Sequence, residues 1–176
     1  FFHLMRWHIK NPAKRPMVYF SPKSLLRAKA AASKIEDFTN GTFQKVIDDP
    51  TVVNASRVIF CSGRVYYDLI AEREKLQETS TAIVRVELLY PLPAKEMAEI
   101  AAKHPNANLL WVQDEPANQG PWSFIALRTS EQFGGPGFGG RTLRRVSRRA
   151  TASPATGNHH LHEDEQKALM QEAFTR

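Results

Sequence analysis

Short apolar runs alternate with longer amphipathic stretches through most of the chain after residue 55. The runs are rich in β-branched residues and predict strands over 57–61, 82–89, 108–113 and 143–147. The stretches repeat apolar residues at helical spacing and predict helices over 65–77, 93–103, from 122 to at least 127, and 162–174. Strands that alternate with helices form βαβ units. We therefore expect an α/β fold with a largely parallel sheet covered on both faces.

The first 22 residues follow a different pattern. Apolar residues at positions 1, 4, 5 and 9 lie on one helical face, and Asn11-Pro12 ends this predicted helix. Residues 15–20 form a short apolar run with aromatic content and predict a strand. Since the chain opens at Phe1 without a preceding cap, we expect a piece of a longer polypeptide, beginning with the last helix and strand of an upstream α/β domain.

Residues 23–55 lack sustained amphipathic order, apart from a brief helical segment around 24–32. Asn40-Gly41 and Asp48-Asp49-Pro50 are turn signals within them. We interpret this stretch as an arm that connects two domains. The predicted division is therefore 1–22, 23–55 and 56–176.

Composition is that of a globular protein rather than a disordered one. The 176 residues are 42% hydrophobic, and the apolar runs are too short to cross a bilayer. A single cysteine, Cys61, excludes an intrachain disulfide framework and a Cys-rich zinc site, and it fits a reducing compartment. These features predict a cytoplasmic protein that does not act at a membrane.

The net charge of +6 owes much to one arginine-rich stretch, residues 141–149. A local basic patch favours a phosphate-bearing ligand or an acidic partner surface at least as much as nucleic acid. Nucleic-acid binding usually adds aromatic residues between the basic ones, and here there are none. A solvated or subunit-facing strand is the simpler interpretation.

Ser62-Gly63-Arg64 lies where a predicted strand meets a predicted helix. Backbone N–H groups at a helix start, with a glycine that permits close approach and an arginine, can hold a phosphate or a carboxylate. The alternative is structural: Ser62 caps the helix and Gly63 makes the turn.

The polar loop of residues 113–122 follows another strand and leads into a helix that Pro121 is suited to begin. Sites form at the carboxyl ends of parallel strands, so Asp114 and Glu115 are candidates for acid–base chemistry. Adjacent carboxylates in such a loop more often face solvent or cap a helix, and Trp122 more often packs than binds.

His159, His160 and His162, with acidic neighbours, form a possible metal cluster, but adjacent loop histidines rarely converge on one ion. The acidic residues suit the positive end of the helix that they open. No nucleophile arrangement, phosphate-binding loop or dinucleotide fingerprint is present in the sequence. We therefore assign no catalytic residue and no metal ligand.

Several motifs together resemble the carboxy-terminal region of 2-oxoglutarate dehydrogenase, the thiamine-diphosphate-dependent decarboxylase family. These motifs are Phe2-His-Leu-Met-Arg6, Arg15-Pro-Met-Val-Tyr-Phe-Ser-Pro-Lys-Ser-Leu-Leu-Arg27, Phe60-Cys-Ser-Gly-Arg-Val-Tyr-Tyr67, Glu87-Leu-Leu-Tyr-Pro-Leu-Pro93, Trp111-Val-Gln-Asp-Glu-Pro-Ala-Asn-Gln-Gly-Pro-Trp122 and Ser147-Arg-Arg-Ala-Thr-Ala-Ser-Pro-Ala-Thr-Gly-Asn158. The arginine-rich stretch looks most like the actinobacterial branch, which is often fused to an acyltransferase domain.

The resemblance implies a three-layer, transketolase-like carboxy-terminal domain preceded by the end of a pyrimidine-binding domain. It implies a parent enzyme of the tricarboxylic acid cycle that decarboxylates 2-oxoglutarate and passes succinyl to lipoamide. Thiamine diphosphate and magnesium would bind mainly to upstream domains, so the isolated chain should be inactive. A sister activity on 2-oxoadipate stays open, because the residues that select the substrate lie upstream.

The resemblance also implies partners: a second copy in a homodimer, a lipoyl-bearing acyltransferase, dihydrolipoyl dehydrogenase and, in actinobacterial members, acetyl-CoA as an activator. We expect Ser62, Gly63 and Arg64 to bind the phosphates of acetyl-CoA, with Arg6 contributing from across the domain boundary. We expect six further residues to form a subunit interface or to support the domain: Glu115, Asn118, Gln119, Trp122, Arg148 and Arg149. The alternative is a stand-alone basic module that binds nucleotides or nucleic acid.

Overall fold

The computed structural model describes residues 1–132 and 138–175, without the side chain of Gln132. The glycine-rich run 134–140, which the sequence predicts as a mobile loop, lies largely outside the described residues. Its last part, Phe138–Gly140, forms a single 3₁₀ turn that buries the Phe138 side chain.

Residues 1–44 form one compact unit, and a second unit begins at Lys45. The first unit holds helix α1 (Phe2–Lys10), short 3₁₀ segments at Lys23–Arg27 and Lys29–Ala31, and helix α2 (Ile35–Asn40). The His3 side chain contacts the Asp37 carbonyl oxygen at 2.5 Å, which joins α1 to α2. The predicted first helix and the brief helical segment after it are both present.

The strand predicted over residues 15–20 is wrong. In the described structure, residues 13–22 form neither helix nor strand, and the apolar side chains of Val18 and Phe20 are exposed. An apolar run becomes a strand only by hydrogen bonding to a neighbouring strand, and the described part of this unit offers none. The division into 1–22, 23–55 and 56–176 stays a prediction.

The second unit alternates strands and helices as the sequence pattern predicts. Its elements in chain order are β1 (Val46–Ile47), β2 (Arg57–Cys61), α3 (Val65–Lys75), β3 (Thr81–Val86), α4 (Ala94–Lys103), β4 (Asn108–Pro116), α5 (Trp122–Gln132), β5 (Leu143–Arg148) and α6 (His159–Phe174). The additional two-residue strand β1 is too short for a period-2 pattern to reveal.

The strands lie in the order β1-β3-β2-β4-β5. The pairs β2–β3, β2–β4 and β4–β5 are parallel, and β1 pairs antiparallel to β3. The expectation of an α/β fold with a largely parallel sheet is therefore confirmed.

Each face of the sheet buries its own core, because successive side chains of a strand point to opposite faces. Phe60 and Trp111 belong to one core, which α4 and α5 cover. Ile59 and Leu110 belong to the other, which α3 and α6 cover. This arrangement gives three layers, with the sheet in the middle.

Helix α6 begins earlier than the sequence pattern predicts. Asn158 is its cap: the side-chain oxygen accepts a hydrogen bond from the backbone N–H of Leu161 at 3.1 Å. The first turn therefore holds His159 and His160, and the acidic residues 163–165 lie one turn further along.

Candidate functional site

The connections of the sheet reverse direction between its central strands. The chain leaves β2 through α3 towards β3 on one side, and it leaves β4 through α5 towards β5 on the other. In open α/β sheets, ligands bind in the crevice outside the carboxyl ends of the strands at such a switch point. Arg64 follows β2, and Asp114 and Glu115 lie at the end of β4, so the chain places polar residues at this crevice.

The Ser62-Gly63-Arg64 turn joins β2 to α3. Gly63 has a φ of 75°, a conformation that L side chains rarely adopt, and no atom of the described structure would lie within 4 Å of an added Cβ. The start of α3, a described segment, has no side-chain cap. Gly63 therefore makes the turn, as the structural alternative holds, but Ser62 does not cap the helix.

Arg64 is paired with two carboxylates. One guanidinium nitrogen lies 2.9 Å from Asp68 on α3, and the other lies 3.1 Å from Asp114 on β4. These contacts fix the guanidinium at the crevice while partly neutralising it. An anion that binds there competes with Asp68 and Asp114 for the same N–H groups.

Asp114 and Glu115 are neighbours in sequence, yet both line the crevice. The register between β4 and β5 shifts between Val112 and Pro116, and such an irregularity re-aims side chains that would otherwise point to opposite faces. Burial raises the pKa of Glu115, and the nearby Asp114 carboxylate adds to this effect. Burial also raises the pKa of Asp68, against the opposing effect of Arg64.

Arg148, at the end of β5, is the most enclosed cation of the crevice, with 8% of its side chain exposed. Its Nη2 donates to Gln166 Oε1 at 3.2 Å and lies 3.1 Å from His162 Nδ1. Since arginine has no acceptor, Nδ1 is the acceptor of that contact. The Arg148 Nε is buried and has no hydrogen-bond partner in the described structure.

A hydrogen-bonded chain connects Arg148 to Arg64. Gln166, which accepts from Arg148, donates through Nε2 to Asp68 Oδ2 at 3.0 Å, and Asp68 pairs with Arg64. The chain ties α3 and α6 to the strand ends.

Beside this chain of contacts lies an open cleft of about 460 Å³, which Arg64 and Arg148 line. Residues 154–157 form one wall, and the charged and imidazole side chains of the lining are Arg64, Asp114, Glu115, Arg148, His159 and His162. The cleft therefore presents both cations and carboxylates to a ligand.

Gln113 is an organising residue that the sequence analysis does not single out. It is 2% exposed, and its Oε1 accepts from Trp111 Nε1 at 3.0 Å and from the Trp122 backbone N–H at 3.1 Å. Its Nε2 donates to the carbonyls of Gln119 and Pro116. A buried glutamine with partners on both atoms fixes the loop that carries Asp114 and Glu115. The sequence does carry a signal for this role, because Gln113 is a polar residue at the end of an otherwise apolar run.

Asn118 and Gln119 fasten the segment that walls the cleft. Both side chains donate to the Thr151 carbonyl at 3.0 Å, and the Thr151 N–H donates back to Asn118 Oδ1 at 3.1 Å. The Trp122 ring is half-buried and lies under the Arg145 guanidinium at 5.8 Å. Arg149 is exposed.

Most of the arginine-rich stretch serves the fold itself. Arg141 donates to the carbonyls of Ala101 and His104 at the end of α4, at 2.6 and 2.7 Å. Cations suit a helix carboxyl end because the last carbonyls there have no intrahelical partner. Arg145 donates to the Ala117 carbonyl, and the largely buried Arg148 donates to Gln166. A basic face for nucleic acid is therefore not favoured.

Arg6 belongs to the first unit, where its guanidinium donates to the Gly41 carbonyl at 3.4 Å. Cys61 is fully buried, and burial raises the pKa of its thiol far above the ordinary range.

Among the described residues, no three His, Cys, Asp or Glu side chains converge to hold a metal ion. Within residues 1–132 and 138–175, no helix is both long and apolar enough to cross a membrane.

Comparison with known proteins gives a consistent result. The family described as "2-oxoglutarate dehydrogenase C-terminal" matches residues 32–174. The chain is 49% identical over 98% of its length to the 2-oxoglutarate dehydrogenase E1/E2 component of Corynebacterium glutamicum. It is 40% identical over 99% of its length to a multifunctional 2-oxoglutarate metabolism enzyme of Mycobacterium sp. (strain JLS), and 43% identical, also over 99%, to the 2-oxoglutarate dehydrogenase E1 component of Cupriavidus necator. It spans 14% of the first two relatives and 18% of the third.

Proposed function

Since this chain belongs to the 2-oxoglutarate dehydrogenase family, we propose that it is the carboxy-terminal part of a longer enzyme that decarboxylates 2-oxoglutarate. The observation that carries the proposal is the match of the family over residues 32–174, joined to identities of 40–49% over nearly the whole chain. The enzyme would pass the succinyl unit to lipoamide, within the tricarboxylic acid cycle and in the cytoplasm. The same region is compatible with a sister activity on 2-oxoadipate.

Thiamine diphosphate and magnesium are the cofactors that this activity needs in the full-length enzyme. We propose no residue of this chain as a ligand of either group. The cofactors would bind mainly to upstream parts of the enzyme, in a transketolase-like arrangement, and the isolated chain would be inactive.

The role of this region is to support the fold and the assembly of the enzyme. Asn118, Gln119 and Arg148 hold the ends of β4 and β5 and the segment after β5 through internal hydrogen bonds. Glu115, Trp122 and the exposed Arg149 complete the set that we assign to support or to contact with a second copy in a homodimer.

A regulatory role accompanies support. Acetyl-CoA would bind through its phosphates at Ser62, Gly63 and Arg64. Three features favour an anion at this turn: the positive φ of Gly63, the open space around it and the N-terminus of the eleven-residue helix α3. The carboxylates that pair with Arg64 oppose the anion, so binding must displace at least one of those contacts.

The partners of the enzyme are a lipoyl-bearing acyltransferase and dihydrolipoyl dehydrogenase. The name of the Corynebacterium relative, an E1/E2 component, favours an acyltransferase domain in the same polypeptide. No observation favours the alternative of a stand-alone nucleic-acid module, because Arg141, Arg145 and Arg148 are engaged within the fold.

The test is an assay of the full-length protein that contains this chain. We expect release of CO₂ from 2-oxoglutarate that requires added thiamine diphosphate and magnesium. Parallel reactions with 2-oxoadipate and pyruvate define the substrate. Absence of decarboxylation of any of these 2-oxo acids by a folded, cofactor-supplemented protein would overturn the proposal.

A further inference from the structure

Glu115 and Arg148 face the same cleft from the ends of neighbouring strands. Arg148 is close enough to favour the charged form of Glu115, yet the two side chains do not form an ion pair in the described structure. Opposite charges that share a partly enclosed cleft without meeting can be bridged by a ligand that carries the complementary pair of charges.

Each charge retains bonding capacity. Arg148 uses its Nη atoms on His162, Gln166 and Glu165, but its buried Nε has no partner. Opposite it, Asp114 accepts from Arg64, and Glu115 has a backbone hydrogen bond and a hydrogen bond with Asp114. Two carboxylates offer about eight lone-pair sites, so these contacts leave acceptor capacity for a ligand.

The ligand must satisfy both sides of the cleft. A purely anionic ligand would meet the carboxylates of Asp114 and Glu115, and a purely cationic one would meet Arg148 and Arg64. We propose that this cleft binds a small zwitterion, of which an α-amino acid is the simplest class. Its carboxylate would approach Arg148 and the start of α3, and its ammonium group would approach Asp114 and Glu115. A cleft of about 460 Å³ accommodates a ligand of this size.

This inference goes beyond the proposed function, because the ligand is neither the substrate nor the proposed activator. The two proposed ligands overlap at Arg64 and the start of α3, whereas Glu115 and Arg148 contribute to the amino-acid site alone. Separate titrations of acetyl-CoA and of an amino acid into the same preparation therefore show which of the two proposals fails.

The experiment removes one ligand charge at a time. Isothermal titration calorimetry of the full-length protein is carried out with L-alanine and L-glutamate, then with N-acetyl-L-alanine, which lacks the ammonium group, and with L-alaninamide, which lacks the carboxylate. We expect saturable binding of an amino acid and at least tenfold weaker binding of both derivatives. No saturable binding of either amino acid would overturn the inference, and so would equal affinity for N-acetyl-L-alanine.

Matched variants test the residues. Glu115→Gln keeps the side-chain shape and should weaken amino-acid binding at least tenfold, and Arg148→Met should do the same. Arg144→Met removes a largely exposed arginine of the same strand and should leave the affinity unchanged. An unchanged affinity in folded Glu115→Gln would overturn the proposal that the ammonium group of the ligand binds at Glu115. This result would hold even if Arg148→Met failed to fold.

Discussion

The Nη2 of Arg64 lies 3.1 Å from Oδ2 of Asp114, and this contact joins the end of β2 to the end of β4 across the switch point of the sheet. A second contact, at 2.9 Å, ties the same guanidinium to Asp68 on α3. Arg64 thus holds together the elements that form the crevice, and the same N–H groups are those that an anionic ligand would use.

Replacement of Arg64 tests the proposed anion site. In Arg64→Ala, acetyl-CoA should bind at least tenfold more weakly, a loss of about 1.4 kcal/mol, because charge-assisted hydrogen bonds to phosphate are removed. Titration of acetyl-CoA into the full-length enzyme measures this change. Arg144→Ala, which removes a largely exposed arginine of β5, is the control and should bind normally. Equal affinity in Arg64→Ala and wild type would refute the placement of the phosphates.

The half-buried Glu115 predicts a specific pH dependence. Because its folded pKa is raised above the ordinary 4.5, the folded state binds more protons than the unfolded state above pH 4.5. Stability should therefore fall as the pH rises from 4.5 through the folded pKa. In Glu115→Gln, stability should no longer decrease over this pH range, and the variant should be more stable than wild type at pH 7. Hydrogen exchange of the β4 and β5 amides across this pH range measures the difference; a variant that is less stable at pH 7 would contradict the prediction.

Gln113 should matter for the stability of the β4–α5 region. Gln113→Leu leaves the buried Trp111 Nε1 without its acceptor and two carbonyls without their donor, so we expect a loss of about 3 kcal/mol in local opening free energy. Hydrogen exchange of the β4 amides in the full-length protein provides the measurement. Gln171→Leu, at an exposed position of α6, should change it by less than about 0.5 kcal/mol. Similar losses in the two variants would count against the role of Gln113.

Asp49 and Arg73 form, among the described residues, the least exposed ion pair outside the crevice, at 2.5 Å. Burial opposes ionisation of Asp49, but hydrogen bonds from Thr51, the Ile83 N–H and Arg73 outweigh it, so the pKa of Asp49 is lowered from its ordinary 3.8. A depressed folded pKa gives stability that is present above pH 3.8 and is lost as the pH falls through the folded value.

Asp49→Ala should therefore lower the protection of the Ile83 amide by about 3 kcal/mol at pH 7, because Arg73 loses its buried partner. The difference from wild type should shrink below pH 3.8. Asp48→Ala removes a pair with the exposed Lys103 and the hydrogen bond that Asp48 Oδ1 accepts from the Asp49 N–H, but it leaves the Asp49–Arg73 pair in place and should cost about 1 kcal/mol. Protection of Ile83 that is unchanged in Asp49→Ala would contradict this account.

The sequence predicted the elements of the second unit well because their apolar positions follow the periods that burial imposes. Ile59 and Phe60 point to opposite faces of β2, and both faces are covered, so the strand appears in the sequence as a continuous apolar run. The strand predicted at residues 15–20 failed for the opposite reason, because an apolar run does not reveal whether a neighbouring strand is present.

The crevice could be predicted only in part. The Ser62-Gly63-Arg64 turn is a local pattern, and local patterns are visible in a sequence. The contacts of Arg148 with Gln166, and of Gln166 with Asp68, join residues 18 and 98 positions apart, so they depend on how α3, β5 and α6 pack. The shift of register that brings Asp114 and Glu115 to the same cleft likewise arises from pairing with β5.

The most direct test of the central claim is immunodepletion of a cell extract with an antibody raised against this chain. If the chain is part of a 2-oxoglutarate dehydrogenase, depletion should remove the 2-oxoglutarate dehydrogenase activity, and the captured band should be several times heavier than 19.9 kDa. Undiminished activity in the depleted extract, with a captured band near 19.9 kDa, would contradict the claim.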